Sequence, residues 1–106
     1  MRIPKSVDVY GSRWSVGYKW NLLSDKGEHV DGLCDKKNRT ILIDRSLSKD
    51  ERPGTFFHEL FHAIIYELKL GQTDLSGEVE EVLVEGISDY MIKYFILRLR
   101  DKAKII

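Results

Sequence analysis

Apolar and polar residues alternate along the first part of the chain, and this alternation predicts β-strands. Between residues 3 and 22, many apolar side chains occur at alternate positions, and Gly11-Ser12 is a plausible turn. Because successive strand side chains point to opposite faces, one apolar face is formed by Trp14, Val16, Tyr18, Trp20 and Leu22. We expect this face to pack on a helix, with both tryptophans in the core.

A β-hairpin is predicted next. Residues 28–35 can form a short strand, residues 36–38 a turn, and residues 40–44 a clear strand. The second of these strands is the more apolar, so we expect it to be the more buried. The first carries Gly32 and several polar residues, which is typical of an edge strand.

A helix is predicted from about residue 50 to about residue 70, where Gly71 ends it. Pro53 suits the first turn of this helix because its fixed φ fits that position. Three residues offer alternative helix caps, namely Ser46, Ser48 and Asp50.

A second helix is predicted from about residue 77 to about residue 100. Its apolar residues form a broad face made of Val79, Val82, Leu83, Ile87, Tyr90, Met91, Tyr94, Phe95 and Leu97. Strands come first and helices after, which predicts an α+β layer fold. The length of 106 residues is enough for one domain with one core, over residues 1–106.

The overall charge balance argues against a nucleic-acid partner. The chain carries 17 basic and 17 acidic residues, so its formal net charge is zero, whereas a nucleic-acid-binding domain needs a basic face. Cys34 is the only cysteine, so no internal disulfide is expected. No apolar run approaches the length of a membrane span, and residues 1–5 lack the apolar core of a signal peptide. A cytoplasmic protein without a membrane partner is therefore expected.

The most informative stretch is His58-Glu59-Leu60-Phe61-His62. Histidines four apart on a helix lie on one face, where both can bind a single metal ion. Glu59 projects beside them, placed to deprotonate a metal-bound water without being a ligand. This is the H-E-x-x-H signature of zinc hydrolases. The alternative is a pair of surface histidines, but the flanking residues are almost uncharged, and a buried polar trio needs a partner such as a metal.

A catalytic zinc ion usually has three protein ligands, so a third is needed. The remaining histidine, His29, lies far upstream on a strand. Carboxylates of the second helix are better placed, because four of them share one stripe: Glu78, Glu81, Glu85 and Asp89. The alternative interpretation of this stripe is a solvated charged face.

Residues 84–89, Val-Glu-Gly-Ile-Ser-Asp, resemble the N-E-x-x-S-D stretch of thermolysin-type gluzincins, with Val84 in place of the Asn. The resemblance covers roughly residues 28–97. It implies a zincin-like fold, in which a small, mostly antiparallel sheet lies over an active-site helix and a following glutamate helix. It also implies one Zn²⁺ per chain, with Glu85 as third ligand and Asp89 hydrogen-bonded to His58. Such a carboxylate partner is what a ligating histidine usually has.

Two departures from the thermolysin pattern are apparent. The gap between His62 and Glu85 is slightly longer, so the connection at residues 71–76 must absorb the difference. The large C-terminal domain of thermolysin is missing, together with its oxyanion-stabilising histidine and tyrosine. The chain therefore looks like a minigluzincin, and SprT-like and ImmA-like peptidases share a hairpin followed by a helix with H-E-x-x-H.

The leading hypothesis is a zinc metallopeptidase in which His58, His62 and Glu85 hold the metal and Glu59 is the general base. A peptide or protein substrate would lie along the edge strand, with contacts at Gly32, Leu33 and Cys34. The oxyanion-stabilising residue is left open among Tyr90, Tyr94 and His29.

A second hypothesis is a zinc-containing binding or interaction domain with little or no turnover. A protein ligand in the fourth coordination position would favour it, and an open position would favour the enzyme.

A latent enzyme is also predicted. Residues 101–106 follow the second helix and end in Ile105 and Ile106, and we expect this segment to cover the cleft. The alternatives are that the two isoleucines pack on the core, or that the N-terminal segment covers the cleft instead.

Overall fold

The protein is a small α+β fold with a four-stranded mixed sheet and two helices, as a computed structural model shows for residues 2–69 and 77–96. The elements are β1 (Ser6–Val9), β2 (Ser12–Lys19), β3 (Gly32–Asp35), β4 (Thr40–Asp44), α1 (Arg52–Lys69), α2 (Gly77–Met91) and a π-helical segment (Ile92–Ile96). The predicted class and the predicted order of strands before helices are confirmed.

The strand order in the sheet is β1-β2-β4-β3. β1 pairs with β2 and β3 pairs with β4 in antiparallel fashion, whereas β2 and β4 are parallel. The predicted hairpin is therefore confirmed, with Gly32 opposite Ile43. β3 lies at the edge of the sheet and β4 inside it, as the greater apolarity of β4 predicted.

The core lies between the sheet and α1. Its buried members are Val9, Trp14, Ile41, Ile43, Phe56 and Ala63. Near the end of α1, Glu67 Oε1 accepts hydrogen bonds from Trp14 Nε1 at 3.0 Å and from Arg39 Nε at 2.7 Å. The Arg39 guanidinium is the main reason that the pKa of Glu67 lies below its usual range. These polar contacts link the end of α1 to β2 and to the turn between β3 and β4.

The prediction that Trp20 belongs to the core is wrong, because its side chain is 66% exposed. β2 ends at Lys19, and the turn that follows contains Asn21 with a φ of 52°. This left-handed residue interrupts the alternation of faces. Leu22 is buried again, and its backbone N–H donates to Asp44 Oδ2 at 3.0 Å.

The predicted apolar face of α2 is not its buried face. Val79, Val82, Leu83, Ile87 and Tyr90 are exposed, and so is Tyr94 beyond the helix. The buried residues of α2 are instead Glu80, Val84 and Ser88, which follow one another at intervals of one turn. The α-helix ends at Met91, and the backbone continues as the π-helical segment.

Three predictions fall outside the described residues. They concern the connection at 71–76, the continuation of the second helix beyond residue 96, and the terminal segment 101–106. Within the two described ranges, neither helix is long and apolar enough to cross a membrane.

Candidate metal centre

The start of α1 is set by Ser48, one of the three predicted caps. Ser48 Oγ accepts a hydrogen bond from Glu51 N at 3.3 Å, and Glu51 Oε1 accepts one from Ser48 N at 3.1 Å. This reciprocal pair is a capping box, which satisfies backbone donors that a helix start leaves unpaired. With the helix begun at Arg52, residues 58–62 lie well inside it. The histidines are therefore held by regular, rigid backbone.

His58 and His62 lie side by side, with ring centroids 5.1 Å apart. His58 Nε2 is 3.1 Å from Glu81 Oε1, and His62 Nε2 is 2.5 Å from the same oxygen. The three ligand atoms lie within 4.8 Å of one another. Tetrahedral zinc ligands are roughly 3.3 Å apart, so shifts of about 1 Å or less would admit an ion. Two histidines and one glutamate also match the donor set of a catalytic zinc site, so these residues fit the metal that the sequence implied.

Glu80 holds the second histidine from the other side. Its Oε2 is 2.6 Å from His62 Nδ1, and the two side chains are only 9% and 14% exposed. A carboxylate accepts hydrogen bonds, so Glu80 can hold the hydrogen on Nδ1 when Nε2, which faces Glu81, serves as a metal ligand. Sequence reasoning missed Glu80 because the apolar residues of α2 indicated a different buried face. Its position one turn before Val84 and two turns before Ser88 could have identified it.

Glu85 and Asp89 line the same cleft as the histidines but are exposed. Neither belongs to the cluster of convergent ligand atoms found among the described residues. Within that part of the chain no hydrogen bond joins Asp89 to His58. Glu81 precedes Glu85 by one turn, so the structure places the glutamate of the previous turn beside the histidines. The assignment of Glu85 as ligand stays a prediction that this arrangement does not support.

Glu59 is a buried carboxylate, with 8% of its surface exposed. Burial raises its pKa to about 7, although the charge of His58 acts in the opposite direction. No hydrogen bond to Glu59 is found among the described residues, and its side chain lines the cleft. A carboxyl group with a pKa near neutrality can both accept and donate a proton near pH 7. Glu59 therefore has the properties that a general base requires.

The edge strand approaches α1 closely at Gly32. A Cβ atom at this position would lie 2.6 Å from Thr55 Cγ2 and 2.9 Å from Glu59 Cγ. Glycine is therefore needed here for close approach of backbone to helix. Gly32 and Leu33 line a cleft of about 740 Å³ that runs between the edge strand, α1 and α2.

Cys34 packs against the core instead of lining the cleft. Burial is the main reason that the pKa of its thiol is raised to about 12, and the charge of Glu59 adds to this effect. The thiol is therefore protonated at neutral pH, and only Gly32 and Leu33 of the three predicted substrate contacts face the cleft.

The three oxyanion candidates also lie outside the lining of the cleft. His29 Nε2 is 2.9 Å from Asp44 Oδ2. Asp44 is buried, and hydrogen bonds from Ser46 and from the Leu22 backbone hold its pKa well below the usual range. Tyr90 and Tyr94 pack on each other with ring centroids 4.7 Å apart. These contacts give all three residues a structural explanation.

Comparisons with protein-family models, with curated proteins and with solved structures found no match to this chain. The chemistry of the site is therefore argued from the geometry of its own residues.

Proposed function

We propose that the protein is a zinc-dependent, zincin-like peptidase that binds one metal ion through His58, His62 and Glu81. The observation that carries this proposal is the convergence of two imidazole nitrogens and one carboxylate oxygen next to Glu59. Glu81 replaces Glu85 in the ligand set because its oxygen lies beside both histidines.

Each residue of the site has a separate task in peptide hydrolysis. A bound zinc ion supplies Lewis acidity, which acidifies water and polarises the scissile carbonyl. Glu59 accepts the proton of the attacking water and then delivers it to the leaving amine. Glu80 keeps His62 in the tautomer that leaves Nε2 available. The outer edge of β3 offers backbone groups with which an extended peptide can pair.

The alternative function is a zinc-containing binding domain with little turnover. One observation favours it: among the residues that the structure describes, no tyrosine lines the cleft, and neither does any histidine besides His58 and His62. Oxyanion stabilisation is often a large part of the rate enhancement in acyl transfer. In contrast, a buried general base such as Glu59 has no use in a purely structural zinc site.

The test is metal analysis of the purified protein combined with cleavage of casein. We expect one zinc per chain, measurable proteolysis, and a loss of proteolysis in Glu59→Gln at unchanged zinc content. Zinc binding without proteolysis in the wild type would favour the binding domain or the latent form over an active peptidase. A protein that takes up no zinc would refute both functions.

A further inference from the structure

The charge of the cleft differs sharply from that of the whole chain. Although the chain has 17 acidic and 17 basic residues, the described lining of the cleft contains seven carboxylate side chains and one ammonium group, Lys93. A charge of one sign in a concave site raises the local concentration of ligands of the opposite sign.

Several of these carboxylates have other tasks. Glu59 and Glu81 belong to the proposed zinc site, where their two negative charges match the two positive charges of the ion. Glu51 takes part in the capping box of α1. Asp50, just before α1, also has an interaction of its own. The remaining three are Asp31, Glu85 and Asp89, whose side chains make no hydrogen bond or ion pair within the described ranges.

These three carboxylates flank the catalytic residues from two sides. Asp31 directly precedes the edge strand along which a peptide would pair, and Glu85 and Asp89 lie one turn apart on α2 across the cleft. Between them, Glu59 is more than nine-tenths buried and has no hydrogen-bond partner among the described residues. The cleft is therefore built to receive polar, positively charged groups as well as a peptide backbone.

We propose that this cleft selects peptides that carry lysine or arginine side chains close to the scissile bond. The proposal rests on the peptidase function above and adds the substrate class to it. Asp31 would meet such a side chain on the edge-strand side, and Glu85 and Asp89 would meet one on the α2 side. The positive charge of Lys93 repels the same basic side chains, so it reduces the preference for basic peptides.

Each ion pair between a cleft carboxylate and a basic side chain of the peptide should raise the binding affinity modestly, and the effects should be additive. A single exposed ion pair changes affinity by about 1.4- to 5-fold, so removing two carboxylates should weaken binding by roughly 2- to 25-fold. Exposed pairs are screened by salt, so the preference should shrink between about 20 mM and about 300 mM ionic strength.

The experiment measures binding separately from cleavage, in the Glu59→Gln variant. Three fluorescein-labelled peptides of equal length, with Lys, Gln or Glu at alternate positions, are compared by fluorescence anisotropy. Adding Glu85→Gln/Asp89→Asn to this variant tests whether the cleft carboxylates bind the basic side chains. Adding Asp25→Asn/Glu28→Gln is the matched control, because these two exposed carboxylates lie outside the cleft. Lys93→Gln tests the opposing charge.

We expect the Lys peptide to bind most tightly and the Glu peptide least tightly, with a gap that narrows at high salt. The cleft double variant should weaken only the Lys peptide, Lys93→Gln should strengthen it, and the control should change nothing. Equal binding of the three peptides, or a loss that the Gln peptide shares, would overturn the proposal. So would loss of zinc from the cleft double variant, which would make Glu85 a metal ligand.

Failure of the proposed function gives a different result. If the wild type cleaves no peptide but the charge preference is found, the peptidase is refuted and the cleft remains a site for basic peptides. If the wild type cleaves all three peptides equally well, the peptidase stands and the substrate class is refuted.

Discussion

Replacing Gly32 with alanine should destabilise the protein at the contact between its edge strand β3 and the helix α1. The added Cβ would lie 2.6 Å from Thr55 Cγ2 and 2.9 Å from Glu59 Cγ. Normal carbon contacts are about 3.5–4.0 Å, so strand and helix must separate by roughly 1 Å. Overpacking of this kind costs about 1–3 kcal/mol. A shift of about 1 Å at Glu59 would also lower the proposed peptidase activity by about 100-fold.

The assay is urea denaturation, which gives the free energy of unfolding, followed by peptide cleavage at matched zinc content. The second variant Gly32→Ala/Thr55→Ser removes the Cγ2 methyl group and should recover part of the lost stability, but little activity, because the contact with Glu59 remains. Gly86→Ala is the control: nothing lies within 4 Å of its Cβ position, so alanine in this helix should stabilise by about 0.5–1 kcal/mol. An unchanged free energy of unfolding in Gly32→Ala, or no recovery with Thr55→Ser, would refute the reasoning.

Three further predictions concern the site and its surroundings. Glu81→Ala should lower zinc affinity at least about 100-fold while Glu85→Ala changes it little, measured by competition with a chelator; the reverse result would restore Glu85 as the ligand. Glu80→Ala should lower zinc affinity about 10- to 100-fold. Glu80→Gln should lower it less, because the glutamine amide oxygen can still accept a hydrogen bond from His62 Nδ1. Equal losses of zinc affinity in the two variants would show that the negative charge, rather than the hydrogen bond, is essential. The pKa of Asp44 is lower in the folded than in the unfolded protein, so its stabilising effect is complete above about pH 4 and is lost as the pH falls further. Unfolding free energies measured between about pH 6 and pH 2 should show this loss in the wild type, and Asp44→Asn should flatten it; parallel profiles would exclude the role.

Local patterns were enough to predict the hairpin of β3 and β4 and the first helix, but not the parallel pairing of β2 with β4. The apolar run from Thr40 to Asp44 and the turn before it identified the hairpin, and the edge position of β3 followed from Gly32 and its polar neighbours. The exposure of Trp20 could not be predicted in this way, because the alternation of apolar and polar residues does not indicate where a strand ends. Its exposure follows from the left-handed backbone at Asn21, a conformation that asparagine adopts more readily than most residues.

The rotation of α2 about its axis explains why its buried face differs from the predicted one and why Glu81, not Glu85, lies beside the histidines. Spacing along the chain placed Glu81, Glu85 and Asp89 on one stripe, but it did not indicate which turn would lie beside the histidines. Apolar content suggested that the side with Val82 and Leu83 would be buried. In the structure, two polar residues are buried instead: Glu80, which pairs with His62, and Ser88, whose hydroxyl donates to the Val84 carbonyl at 2.7 Å. Such pairing compensates for the burial of polar groups and is not visible in the hydrophobic pattern.

The narrow buried stripe of α2 has a consequence for how the protein opens. Val84 is the only fully buried apolar residue of this helix, and Glu80 and Glu81 add polar contacts with His62 of α1. An ion shared by His62 and Glu81 would join the two helices directly, and it would favour the docked form in proportion to its concentration. Amide hydrogen exchange in α2 should therefore slow when zinc is added, whereas exchange in β4 should follow global unfolding. A bound metal ion would therefore stabilise the docked position of α2, the helix that carries Glu81.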